Sequence, residues 1–155
     1  MAGWRLAFAA GNAQLIEALN LLQDHLFVSV FPAIQDAGAV ALLDERSKDA
    51  VADLNKTYDE RRRAFVQAAE KIGWHAFDSK GSFYAWMPVP EGYDSEQFAD
   101  LLLNEAHVAV APGKAFGKQG DSYVRIGLLV DPERLVEAVE RIGKLHLFEK
   151  TSSHL

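Results

Sequence analysis

Residues 107–130 decide the fold, and they read HVAVAPGKAFGKQGDSYVRIGLLV. The segments His107 to Ala111 and Tyr123 to Val130 are apolar and rich in β-branched residues, which is typical of strands. The loop Pro112 to Asp121 contains three glycines and predicts a connection between the two strands. Asp131-Pro132 then predicts the start of a helix, because proline is favoured at the first helical position.

The pattern around this strand pair predicts a mixed fold. Helices are predicted over Ala13 to His25, Ala33 to Leu43, Ser47 to Ile72, a segment beginning at Asp94 or Ser95, and Pro132 to Leu145. Further strands are predicted over Trp4 to Ala10, His75 to Asp78 and Ser82 to Met87. The order after Ser47 indicates an α+β (α/β layer) class, with helices packed on a small antiparallel sheet. A change of composition near residues 44 to 47 predicts two parts, 1–46 and 47–155.

Composition excludes several classes of function. There are no cysteines, which excludes disulfides, thiolate zinc sites and a cysteine nucleophile. The net charge of −6 favours neither nucleic acid nor an anionic membrane, so we expect no partner of either kind. The first residues lack the pattern of a signal peptide, and no apolar stretch reaches 18 residues. We therefore expect a cytoplasmic protein.

Catalytic and ligand-binding motifs that can be recognised by spacing are absent. The five histidines have no ligand spacing, so no metal site is expected, and there is no G-x-S-x-G elbow. Gly113 to Lys118 is one residue short of a phosphate loop, and Gln119 stands where Ser or Thr would bind magnesium. A plain loop between two strands is the better interpretation.

Two arginines lie within apolar stretches. Arg5 is the only charge between Met1 and Asn12, and Arg125 interrupts the strand Tyr123 to Val130. Because burying a lone charge is costly, each guanidinium must be solvated or paired. An arginine that faces solvent is one interpretation, and bidentate recognition of an oxyanion is the other.

Four segments, taken in order, carry a resemblance to a known family. They are Met1-Ala-Gly-Trp-Arg-Leu-Ala-Phe-Ala-Ala-Gly-Asn, Lys80-Gly-Ser-Phe-Tyr-Ala-Trp, Val110-Ala-Pro-Gly-Lys-Ala-Phe-Gly117 and Tyr123-Val-Arg-Ile-Gly-Leu. They resemble the segment after the catalytic lysine, the G-x-F-Y strand, the V-x-P-G-x-x-F-G loop and the V-R-[IL] strand of class I/II aminotransferases of fold type I. The resemblance covers nearly the whole chain.

The resemblance implies a cofactor, pyridoxal 5'-phosphate, and a role for several residues. Arg5 would bind the cofactor phosphate, Arg125 would bind the substrate α-carboxylate, and Tyr84 and Phe83 would flank the substrate entrance. Ser29 would approach the partner subunit's site in a homodimer. The catalytic lysine is expected upstream of Met1, so no catalytic residue is expected in this chain.

The resemblance thus implies the C-terminal part of an aminotransferase. Residues 1–46 would be the end of its large domain, including the strand Trp4 to Ala10 and the interdomain helices, and 47–155 its small domain. The complete enzyme would move an amino group between an amino acid and a 2-oxo acid, and the isolated chain would be inactive. Three alternatives stay open: a related pyridoxal-phosphate lyase, an aminotransferase-like ligand-sensing domain of a transcription regulator, and an unrelated α+β binding module.

Overall fold

The structure is a computed structural model that describes residues 2–26, 29–77 and 79–148. The chain divides into two compact units, Met1–Asp53 and Leu54–Leu155, and each is described by itself. The domain boundary predicted at residues 46 and 47 stays a prediction.

The first unit contains a 3₁₀ turn at Ala2–Trp4 and two helices, α1 (Ala13–Leu26) and α2 (Pro32–Leu43). Asn12 caps α1 as its side chain predicts, since its Oδ1 accepts hydrogen bonds from the backbone N–H of Gln14 and Leu15 at 3.0 and 3.3 Å. No residue of α1 is buried, although leucines recur along it at helical spacing.

The strand predicted over Trp4 to Ala10 is wrong. Residues 6–10 are irregular, because a strand needs a hydrogen-bonded partner and the described part of this unit contains no other strand. Leu6 instead packs on α2, where a Cβ built on Gly38 would lie 2.3 Å from the Leu6 Cδ2 atom. The Leu6 side chain therefore lies directly against the backbone of α2 at Gly38, and a larger residue there would require Leu6 to move.

A long helix, α3 (Arg46–Lys71), ends two residues before Gly73, the glycine that the sequence indicates as its C-terminal cap. Gly73 has a φ of 81°, in the left-handed region that glycine adopts without strain. The backbone N–H of Trp74 donates to the carbonyl of Ala69 at 2.9 Å, and that of Gly73 donates to Glu70 at 3.1 Å. These two bonds form a Schellman cap.

Three short strands form the predicted small antiparallel sheet. They are β1 (Tyr84–Pro88), β2 (Ala111–Pro112) and β3 (Tyr123–Gly127), in the order β1-β3-β2. Trp86 on β1 and Ala111 on β2 both stand opposite Arg125 on the central strand. The α+β class with helices packed on this sheet is confirmed.

Two strand predictions differ from the structure. Residues 74–77 are irregular and Asp78 lies outside the described residues, so the predicted hairpin of 75–78 with 82–87 does not form. The strand predicted over His107 to Ala111 is reduced to Ala111–Pro112. Both runs are short and apolar, and only pairing across the sheet decides which residues become strand.

The core lies between one face of the sheet and the helices of the second unit, which include α4 (Ser95–Leu101) and α5 (Pro132–Gly143). Asp94 and Gln97 form a capping box at the start of α4, and a π-helical turn, Leu102–Ala106, continues it. The buried residues of the cluster include Phe65, Ala69, Trp74, Met87, Phe98, Leu102, Val124, Leu135, Val139 and Ile142. Among the described residues, no helix is both long and apolar enough to cross a bilayer.

Candidate functional site

The sheet has two chemically different faces. Burial alternates along β1 and β3, with Ala85, Met87, Val124 and Ile126 turned into the core. The residues between them are half-buried, and their side chains stand on the other face. Tyr84, Trp86, Tyr123 and Arg125 therefore share one partly exposed surface, which we call the aromatic face.

Arg125 is held between two aromatic rings on this face. Its Cζ lies 4.0 Å from the centroid of the Tyr84 ring and 4.1 Å from that of Phe116. A guanidinium stacked in this way gains cation–π attraction on its flat faces, while the N–H groups at its edge stay available for hydrogen bonds. No carboxylate in residues 2–26, 29–77 or 79–148 forms an ion pair with Arg125. The arrangement suits a carboxylate that arrives from outside the chain.

Tyr84 is brought to Arg125, whereas Phe83 faces a different set of residues. The Phe83 ring lies 4.6 Å from the Tyr84 ring and 5.7 Å from that of Tyr58 on α3. It lines a cleft with residues of α3 that include Arg62. The role of these side chains in substrate binding stays a prediction.

Arg5 lies in the first unit, so its position is described without reference to Arg125. Its side chain is exposed and its backbone has a φ of 56°, an uncommon conformation for a residue other than glycine. Within the described residues it forms no ion pair. Ser29 is also exposed, in an irregular segment of the same unit.

The segment 113–122 connects β2 to β3 through two 3₁₀ turns, Gly113–Phe116 and Lys118–Ser122. Gly113 and Gly120 are buried against each other, and a Cβ on Gly113 would lie 2.2 Å from the Gly120 carbonyl oxygen. Lys114 Nζ pairs with Glu96 at 2.6 Å, and the hydrogen bond to this carboxylate raises the pKa of Lys114. The segment is thus a compact connection that leads into a strand, and it differs from a phosphate-binding loop, which leads into a helix.

An aromatic cleft of about 360 Å³ adjoins the arginine. Its lining includes Phe77, Trp86, Phe116 and Tyr123, and the Trp86 and Tyr123 rings stack with centroids 5.7 Å apart. Sequence reasoning assigned no site role to Phe116, Trp86 or Tyr123. The period-two alternation along β1 and β3 would have placed the last two beside Arg125.

The described residues contain no group of three or more histidine, aspartate or glutamate side chains that could hold a metal ion.

The fold and the site define a class: an α+β unit in which an arginine on one face of the sheet lies against two aromatic rings. The family described as aminotransferase class I and II matches residues 1–142. The chain therefore belongs to the class I and II aminotransferase family, as the four sequence segments indicate.

Individual relatives are similar over nearly the whole chain. An L-glutamine–4-(methylsulfanyl)-2-oxobutanoate aminotransferase of Bacillus subtilis is 57% identical over 152 residues, which are 98% of this chain and 38% of that protein. An LL-diaminopimelate aminotransferase of Moorella thermoacetica is 39% identical over 94% of this chain and 37% of its own length. The chain thus spans less than two fifths of the length of these curated relatives.

Solved structures share the fold. The apo structure of BacF from Bacillus subtilis superposes with a TM-score of 0.84 at 42% identity, over 97% of this chain and 38% of that one. An aromatic aminotransferase from Pyrococcus horikoshii also has a TM-score of 0.84, at 40% identity over 94% of this chain and 39% of its own.

Proposed function

We propose that this chain is the C-terminal portion of a pyridoxal-phosphate-dependent aminotransferase that moves an amino group between an amino acid and a 2-oxo acid. The observation that carries the proposal is Arg125, which is stacked between Tyr84 and Phe116 with its edge unpaired among the described residues. Membership of the family supports the reaction type, and the 38% share of the relatives' length supports a portion of a longer enzyme.

Arg125 binds the α-carboxylate of the amino acid. Two parallel N–H···O bonds fix both the distance and the plane of the carboxylate. Holding the carboxylate limits where the α-carbon can lie and how its bonds can point, so the arginine contributes to the rate by positioning. The stacked rings keep the guanidinium in one rotamer before the substrate arrives, which reduces the entropy lost on binding.

Arg5 binds the cofactor phosphate. Its exposed guanidinium has no ion-pair partner in the described part of the chain, and the planar fork of donors fits a phosphate dianion. The bound cofactor supplies the electron sink for the chemistry at the α-carbon. The lysine that such chemistry uses would come from sequence outside this chain.

The proposal extends to the location, the oligomeric state and the substrates of the complete enzyme. We propose a cytoplasmic homodimer that binds neither nucleic acid nor membrane, and in which Ser29 lies near the partner subunit's site. Tyr84 and Phe83 flank the substrate entrance. The name of the 57% identical relative makes glutamine and 4-(methylsulfanyl)-2-oxobutanoate the first substrate pair to test.

The experiment compares kinetics of the full-length protein with those of Arg125→Lys. Lysine keeps the charge but loses the fork, so we expect kcat/KM to fall about 10- to 150-fold, while cofactor affinity is unchanged. Arg134→Lys is the matched control, because Arg134 is an exposed arginine that pairs with Glu137 on α5.

Two outcomes would contradict the proposal. An unchanged kcat/KM in Arg125→Lys would remove the assigned role of this residue. Repeated turnover that releases a 2-oxo acid together with ammonia, with no amino group transferred to a second 2-oxo acid, would instead identify a lyase.

A further inference from the structure

Ser95 is a buried polar residue to which the proposed function assigns no role. It is the first residue of α4, and its relative exposure is 0%. Its Oγ donates a hydrogen bond to Oδ1 of Asp121 at 2.9 Å and accepts one from the backbone N–H of Lys114 at 3.3 Å. One hydroxyl therefore joins the start of α4 to both ends of the segment 113–122.

This segment carries one of the two rings that hold Arg125. Phe116 lies between the residues that Ser95 binds, and half of its surface is exposed. Its ring meets the Trp86 ring edge-on, with centroids 6.0 Å apart, and its position also depends on the backbone of the segment. The close approach of Gly113 to Gly120 keeps the segment narrow without joining it to α4. An ion pair between Lys114 and Glu96 also joins the segment to α4, but both of its side chains are exposed, whereas the Ser95 hydroxyl is buried.

We propose that Ser95 is a positioning residue for carboxylate binding. Its hydroxyl fixes the segment 113–122 on α4, so that Phe116 stays against one face of the Arg125 guanidinium. This inference rests on the proposed function of Arg125. Without the hydroxyl, Asp121 loses a donor and the Lys114 N–H loses an acceptor, so the segment can shift and Arg125 gains rotamers.

The first measurement is hydrogen–deuterium exchange on the 155-residue chain. In Ser95→Ala we expect the backbone amides of Gly117 and Gly120, which donate within the two 3₁₀ turns, to exchange about tenfold faster. Amides of β1 should not change. Ser122→Ala is the matched control, because Ser122 is an exposed serine at the end of the same segment.

A second variant keeps the test decisive if Ser95→Ala fails to fold. Asp121→Ala removes the same hydrogen bond from a residue that is only half-buried. Asp121→Asn keeps an acceptor oxygen and should exchange like the wild type. Equal exchange in Asp121→Ala and the wild type would overturn the proposal.

The second measurement is kinetics of the full-length enzyme. Ser95→Ala and Phe116→Ala should each raise KM for the amino acid up to about tenfold, with a smaller change in kcat. Because both act through the same ring, the double variant should be no worse than Phe116→Ala alone. Additive effects would overturn the proposal.

The two proposals can fail separately. If Arg125→Lys leaves kcat/KM unchanged, the proposed function of Arg125 is wrong. If Arg125→Lys is impaired while Ser95→Ala and Phe116→Ala bind the amino acid like the wild type, only the role of Ser95 is wrong.

Discussion

Replacement of Trp74 by phenylalanine should destabilise the second unit strongly. Trp74 is 1% exposed, and its indole Nε1 donates to the carbonyl of Pro88 at 2.7 Å. Its ring stacks on Phe148 with centroids 5.1 Å apart and meets Phe65 and Phe98 edge-on. The residue thus links α3, β1 and α4 through one side chain.

The cost has two parts. Loss of the indole N–H removes the donor from a partly buried carbonyl, which costs about 1–3 kcal/mol. The smaller phenylalanine ring also loses roughly three carbon-sized atoms of burial, or about 2 kcal/mol. Together these predict a loss of roughly 3–5 kcal/mol and, for a chain of this size, a fall in Tm of about 6–20 °C.

Differential scanning calorimetry of the chain measures this change. Trp4→Phe is the matched control, since Trp4 is 61% exposed and its replacement should shift Tm by less than about 2 °C. The reasoning fails if Trp74→Phe and Trp4→Phe have the same Tm, because Trp74 would then not hold the core together.

Three further predictions concern activity, packing and pH. The isolated chain should transfer no amino groups when mixed with pyridoxal phosphate, and turnover above the rate of free cofactor in the same assay would contradict this. Gly113→Ala should lower the unfolding free energy by about 1–3 kcal/mol, because its Cβ meets the Gly120 carbonyl, whereas Gly81→Ala, with open space around it, should not. The hydrogen bond from Arg141 lowers the pKa of Glu137 below its ordinary value of 4.5. The pair therefore stabilises the fold at pH values above 4.5, and this stabilisation is lost as the pH falls through the lowered pKa. Tm should therefore fall less between about pH 5 and pH 3 in Glu137→Gln than in the wild type, and equal slopes would show that the pair is not formed.

Helices were predicted well because their signals are local. Proline at the first position and the recurrence of Leu135, Val139 and Ile142 define α5, and the structure buries these three side chains. The same pattern in α1 predicts an apolar face that the structure leaves exposed. Periodicity indicates which residues can be buried together, but it cannot say what will cover them.

Strands and the site were predicted less completely because both depend on distant residues. The segments 75–77 and 107–110 resemble β3 in being short and largely apolar, yet the ladder includes neither, since the pairing partners cannot be read from either segment alone. Arg125 was identified as a candidate from its position inside an apolar strand. The ring of Phe116, nine residues earlier in the chain, reaches it only because the segment 113–122 folds back.

The strand order β1-β3-β2 has a consequence for synthesis on the ribosome. Both edge strands are made first, and neither has a hydrogen-bonding partner until the central strand has been translated. The strands β1 and β2 must therefore leave the exit tunnel with their ladder groups bound to water. At 5–20 residues per second, the wait until β3 is complete is about 2–8 s for β1 and about 1–3 s for β2. The sheet then forms in one event, when Tyr123 to Gly127 inserts between two strands that never touch each other.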